Sequence, residues 1–171
     1  HSGDDRPILY LDSTNFRYFD ASATDYMDGE WHYLVLYIPG SDMDDVSSAT
    51  LSIDNVNIPS SSTSAAGTQD TWNDLYIGKT NYGSFNGDLD EVKIYNYQLT
   101  PFDIEKEFVS SRGKKQTGLN LSKSEQDNES AQVEGLVAHW KMDEASWDGT
   151  ADEVIDYSGL GNHGVSADDA H

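Results

Sequence analysis

Cysteine is absent from this chain of 171 residues. That excludes a disulfide-stapled scaffold and any thiolate-ligated metal site, but it does not decide the compartment. Positive charge is scarce: 10 Lys and Arg stand against 31 Asp and Glu, for a net charge of −21. Such a surface repels nucleic acid and anionic membranes, so neither is expected as a partner. It favours solubility, repulsion between copies and capture of divalent cations. Long apolar runs are missing too. None approaches the ~20 residues of a membrane-spanning helix, so direct membrane insertion is not expected. No secretory leader is visible and the first residue is His1, which reads as the start of a mature or excised piece.

What the chain does have is aromatic side chains. Tyrosine (10) and tryptophan (4) are plentiful while charged residues reach only 24%, a composition that folds rather than stays disordered. The length suits one domain and is too short for two complete sandwiches of about this size.

The first hundred residues read as strands. Short candidates lie at 7–13 and 16–20. The run WHYLVLYI at 31–38 is apolar at nearly every position, as in a central strand buried on both faces. Pro39 and Gly40 stop it. In residues 49–58, Leu51 and Ile53 alternate with Ser52 and Asp54. Asp54 and Asn55 suit a two-residue hairpin turn, because both tolerate positive φ. Residues 59–70 read as a polar loop, 74–78 as a short strand and 88–96 as a longer one. A helix then starts with Thr100 as N-cap, Pro101 in the first helical position and Asp103 in the first turn. Leu99 and Ile104 are spaced for a hydrophobic staple, and the helix is expected to end near Ser110.

Residues 112–134 read as a polar linker that lacks aromatics and spans roughly 25–30 Å if flexible. Asn120 and Asn128 each begin an Asn-x-Ser sequon within it; chance occurrence is the simpler reading. Beyond it, residues 136–142 alternate, with Leu136, Ala138, Trp140 and Met142 on one side and Val137, His139 and Lys141 on the other. A glycine-rich turn, VIDYSGLGNHGV, follows at 154–165.

Two blocks of this chain resemble the laminin-G-like, concanavalin A-like lectin/glucanase sandwiches. In the first, GEWHYLVLYI, LSIDNVNI, LYIGKT and FNGDLDEVKIYNYQLTPFDI are similar to the later strands and final helix of the module. In the second, GLVAHWKMDE and DYSGLGNHG look like its opening strand and first turn. The end of one module thus precedes the beginning of another. The resemblance implies an all-β, antiparallel jelly-roll-like β-sandwich with one short helix. It divides the chain into the C-terminal portion of a sandwich (1–111), a linker (112–134) and an opening strand and turn (135–171). The last segment belongs to a next domain in tandem, is donated between copies, or returns within the same chain as a permuted strand. Unfilled, the arrangement leaves apolar edges such as 31–38 exposed, a hazard that a partner strand removes.

Sandwiches of this kind include glycoside hydrolases, which place two carboxylates about 5–5.5 Å apart in retaining enzymes. Their Glu-x-Asp-x-x-Glu signature is absent here. Asp88 and Asp90 alternate, but at the entrance to a strand. No HExxH or Ser-His-Asp arrangement is present. His32 reads as structural, His139 as solvent-facing and His163 as a hydrogen-bonding member of its glycine-rich turn.

Calcium is the better chemical expectation, with oxygen ligands drawn from Asp88, Asp90, Glu91, Asp143, Glu144, Asp156 and Asn162. The resemblance makes the opening and closing strands neighbours, which would bring these groups together. The competing reading is a set of solvated carboxylates with Asp156 capping its own turn. The acidic loop at 42–45 is a weaker calcium candidate. For carbohydrate, Trp72, Tyr82, Phe85 and Trp147 are the aromatic candidates, weighed against simple packing at the rim of the core. The expected function is a non-catalytic extracellular or cell-surface recognition or adhesion module for glycan or protein. The alternative is a structural subunit of a filament or surface layer, completed by strand exchange with neighbouring copies or adjacent domains.

Overall fold

The computed structural model describes residues 8–10, 16–20, 26–39, 46–64, 75–80, 83–113 and 135–166. The candidates Trp72 and Tyr82, the loop 42–45 and both sequons lie outside them. The structure is mostly strands with one helix, and it separates into two compact units. Unit one comprises His1–Phe85 and Thr100–Thr117; unit two comprises Asn86–Leu99 and Gly118–His171.

Among the described residues, unit one carries three sheets. Strands β1 (Ile8–Tyr10), β2 (Phe16–Phe19) and β6 (Ser60–Ser64) form one antiparallel sheet in the order β1-β2-β6. Strands β3 (Leu34–Tyr37), β4 (Thr50–Ile53) and β5 (Val56–Ile58) form a second, in the order β3-β4-β5. A short ladder joins β7 (Lys79–Thr80) to β8 (Gly83–Ser84). Within the run 59–70, read as a polar loop, β6 corrects that expectation for residues 60–64. A serine-rich run has little intrinsic strand preference, but its backbone pairs along β2, and partner availability overrides propensity.

The β4–β5 turn is as the sequence indicates. Asp54 and Asn55 both have positive φ, 50° and 66°, which matches the twist of the flanking strands. Leu51 and Ile53 are 5% exposed and form the core with Phe19 and Ala49; Tyr26, Ile38 and Ile58 pack around it. One cluster therefore draws on β2 and β4, and each large apolar side chain in it contributes about 2 kcal/mol by leaving water.

Strand β3 departs from expectation. It was read as buried on both faces, yet Leu34 and Leu36 are 54% and 45% exposed. The register explains the difference. Leu34 pairs with Ile53 and Leu36 with Leu51, so the leucines share the apolar face of the sheet. Among the described residues β3 pairs only with β4, and it lies at the sheet's edge beyond the cover that Phe19 gives β4.

Helix α1 (Pro101–Gly113) begins as read and runs three residues past Ser110. Thr100 Oγ1 accepts from Asp103 N at 3.2 Å, and Asp103 Oδ2 accepts from Thr100 N at 3.0 Å, a reciprocal cap. Phe108 packs on Tyr33 with ring centroids 5.9 Å apart. Of the segment 74–78 read as a strand, the described residues 75–78 are irregular; the ladder begins only at Lys79.

Unit two pairs β9 (Val92–Tyr95) with β10 (Leu136–Trp140) in antiparallel register. The opening-type strand therefore meets the closing-type strand of its own chain. Strand β9 is shorter than the expected 88–96, because Glu91 has a φ of 53° and interrupts extended backbone just before Val92. A bulge falls between Leu136 and Ala138, and Met142 has a φ of 55°, which ends the alternation two residues after β10.

Candidate functional site

The glycine-rich turn of unit two closes around one buried carboxylate. Asp156 is 6% exposed. Its Oδ1 accepts from His139 N at 2.9 Å and Ser158 N at 2.8 Å, and its Oδ2 from Asn162 N at 2.8 Å and Ser158 Oγ at 2.7 Å. Burial pushes its pKa up, but these four bonds outweigh burial and hold it at about 2. The bulge in β10 is served by the same turn: Asn162 Nδ2 donates to Val137 O at 2.8 Å, and Trp140 Nε1 donates to Asn162 O at 2.9 Å. His163 Nδ1 accepts from Asp156 N at 3.0 Å, the turn-bonding role read from sequence. Asp156 and Asn162 are thus a structural knot that fastens the turn to β10.

The expected calcium cage is not assembled. Among the described residues, no three His, Asp or Glu side chains gather as metal ligands do. Asp88 and Asp90 are exposed in irregular backbone before β9. Glu91 Oε2 lies 2.7 Å from His139 Nε2, and Glu144 Oε1 accepts from Ile155 N at 2.9 Å. Asp143 is exposed. The neighbouring strands do pair, but of their acids Glu91, Glu144 and Asp156 take protein donors while Asp88, Asp90 and Asp143 are exposed. His139 is not solvent-facing either: its side chain is 15% exposed and bridges β10 to Glu91. It also meets the Tyr157 ring edge-on at 6.3 Å, beside the Lys141 ammonium 4.1 Å from that ring.

Glu153 is a second internal acceptor that sequence reading missed. Its carboxylate takes Asp148 N at 2.6 Å, Gly149 N at 3.0 Å and Ser166 N at 2.8 Å. Desolvation opposes its charge, while these bonds and that from Ser166 Oγ hold its pKa at about 2. Only the fold brings Ser166 back to it, so spacing carried no signal.

Of the aromatic candidates, Trp147 is half-buried, with its Nε1 shielded from solvent, which suits packing better than stacking on a sugar. Phe85 is 48% exposed, and its N–H donates to Gly78 O at 2.6 Å. That bond closes the β7–β8 hairpin and sets Phe85 beside the 75–78 segment. There Leu75 and Tyr76 are 57% and 62% exposed. Tyr76 was absent from the sequence candidates because its segment was read as a strand. An exposed phenol and phenyl on one hairpin base offer apolar faces with one hydroxyl, the chemistry that sugar rings and protein side chains both accept.

Comparison with known proteins gives one match. The model of the concanavalin A-like lectin/glucanases superfamily, in its laminin-G form, covers residues 1–105. That span contains the first block of motifs; the second block, from Gly135, lies beyond it. No curated protein and no solved structure matches the chain.

Proposed function

The chain belongs to the concanavalin A-like lectin/glucanases superfamily, and on that premise we propose a non-catalytic recognition or adhesion module, extracellular or cell-surface, whose ligand is a glycan. The observation that carries the proposal is the exposure of Tyr76, just before β7, and of Phe85, just after β8 and bonded to Gly78. The Phe85 backbone is held by its bond to Gly78, so less of its freedom is lost on binding. The absence of catalysis is supported by Asp88 and Asp90, which stand in irregular backbone rather than on alternate positions of a strand. The core shared by β2 and β4 supports closure of the unit-one sheets as a jelly-roll-like sandwich.

A glycan array with the full chain tests the reading. Wild type binds a defined subset of sugars, and Tyr76→Ala or Phe85→Ala weakens that binding roughly tenfold with the circular dichroism unchanged. Absence of any sugar binding, with saturable binding to a protein partner instead, overturns the glycan assignment. Calcium is not part of the proposal, given the dispersed candidate ligands. Thermal unfolding checks this: a site present only in the folded state raises the midpoint at millimolar calcium, and no rise is expected.

A second reading is favoured by one observation, the exposed Leu34 and Leu36 on the outer strand β3. They suit a subunit whose sheet is completed by a strand from a neighbouring copy. Light scattering after size exclusion decides it, and a folded monomer at micromolar concentration removes it.

A further inference from the structure

Two carboxylates close on one histidine in unit one. Asp54, in the β4–β5 turn, places Oδ2 2.8 Å from His32 Nδ1. Asp28, in the loop before β3, places Oδ1 3.0 Å from His32 Nε2. The imidazole side chain is 13% exposed, that of Asp54 26% and that of Asp28 46%. An ionised carboxylate only accepts hydrogen bonds, and a neutral imidazole has one N–H. A neutral ring would therefore set a lone pair against one of the two anions. Only the imidazolium donates to both.

Further contacts tie this group to the backbone. Asp54 Oδ1 accepts from Tyr33 N at 3.0 Å, and Asp54 N donates to Tyr33 O at 2.9 Å. Asp28 Oδ1 also accepts from Glu30 N at 2.8 Å, across Gly29, whose φ of 83° lets the loop reverse. Among the described residues, the ionisable groups around the ring include Asp28 and Glu30 on its own loop, Asp54 on the hairpin, and the adjacent Tyr33 with Glu107 of α1 acting on it. Burial, with a smaller contribution from the Glu107 charge, pushes Tyr33 up to about 12, so it stays neutral. The hydrogen bond to Asp54 and then that to Asp28 raise the His32 pKa above its ordinary value, against a smaller opposing effect of burial. The same contact with His32 holds Asp28 below the usual carboxylate range.

We propose that Asp28, His32 and Asp54 form a proton-operated latch: the imidazolium fastens the 28–30 loop to the β4–β5 turn, and loss of one ring proton releases the loop at Asp28. Asp54 keeps its partner because the turn and the Tyr33 N–H hold it in place, whereas Asp28 is the more exposed. Because the histidine's affinity for its proton is raised on folding, the latch is complete below the ordinary imidazole range. It opens as pH rises through the higher folded value. At the acid end Asp28 is depressed, so its contribution persists above the ordinary carboxylate value and is lost as pH falls through the lower folded one. The latch is therefore closed at weakly acidic pH and opens on the alkaline side. The released loop leads directly into β3, the strand that carries Leu34 and Leu36.

Long-range proton–nitrogen NMR of the full chain across a pH series tests the latch, with His32→Gln assigning the ring signals. Both ring nitrogens are expected in the protonated range at pH 6.5 or below, with a midpoint above the ordinary imidazole value. The Asp28 and Glu30 amides should follow the same midpoint. Asp28→Asn should move the His32 midpoint down and uncouple the Glu30 amide from it, while the Tyr33 amide keeps its place. A ring that titrates at or below the ordinary value, or loop amides that ignore its titration, overturns the proposal. Asp28→Asn leaves the hairpin and core untouched, so the comparison does not depend on a variant that fails to fold.

Discussion

At the scale of single residues, buried carboxylates and positive-φ positions decide local stability. Asp156 accepts four hydrogen bonds, and an amide in its place keeps one acceptor oxygen and turns the other into a donor facing donors. Asp156→Asn should therefore cost about 3 kcal/mol, read as an earlier transition in urea followed by tryptophan fluorescence of Trp140 and Trp147. The pH sign follows from the depressed value. Its contribution is present above the ordinary 3.8 and lost as pH falls through about 2, so wild type should loosen in unit two between those values. Amide exchange at Ser158 and Asn162 reports that loosening. Gly135 is the other sensitive position. Its φ is 79°, and a Cβ there would lie 2.4 Å from the Tyr97 ring. Gly135→Ala should cost about 2 kcal/mol or more, through the strained backbone together with displacement of Tyr97, measured as a drop in the thermal midpoint.

At the scale of elements, local chemistry was readable and pairing was not. Thr100, Pro101 and Asp103 announced the start of α1, since a cap is satisfied within four residues. Thr100→Ala should lower stability by about 1 kcal/mol, and the loss should appear as reduced helical ellipticity before global melting. Asp54 and Asn55 announced their turn for the same reason: the φ values depend on the two residues themselves. Strand β6 was missed because a serine run becomes a strand only where β2 offers it a ladder. The burial of β3 was misjudged because apolar content says how well a strand tolerates cover, while the cover itself comes from another sheet. The calcium candidates depend on the same kind of distant return. Seven oxygen-bearing side chains were identifiable, but whether they face a cavity or their own backbone depends on where the chain returns.

At the scale of the whole molecule, charge and chain order set the terms. A net charge of −21 raises the energy of any compact state by self-repulsion. Raising salt from about 10 mM to about 500 mM shortens the Debye length from roughly 30 Å to under 5 Å, so the thermal midpoint should rise. Scanning fluorimetry checks it, and a falling midpoint would show that attractive pairs outweigh the repulsion. What the sequence determined by itself was family, strand-rich class, capped helix, hairpin turn and the lack of a catalytic carboxylate motif, all of which are carried by neighbouring residues or by composition. Tertiary structure alone decided that β10 pairs with β9 of its own chain, that Asp156 fastens the turn to β10, and that Tyr76 and Leu34 stand in water. The reason is common to all three: each depends on which distant backbone comes within hydrogen-bonding or packing distance, and that is set by the folded path of the chain.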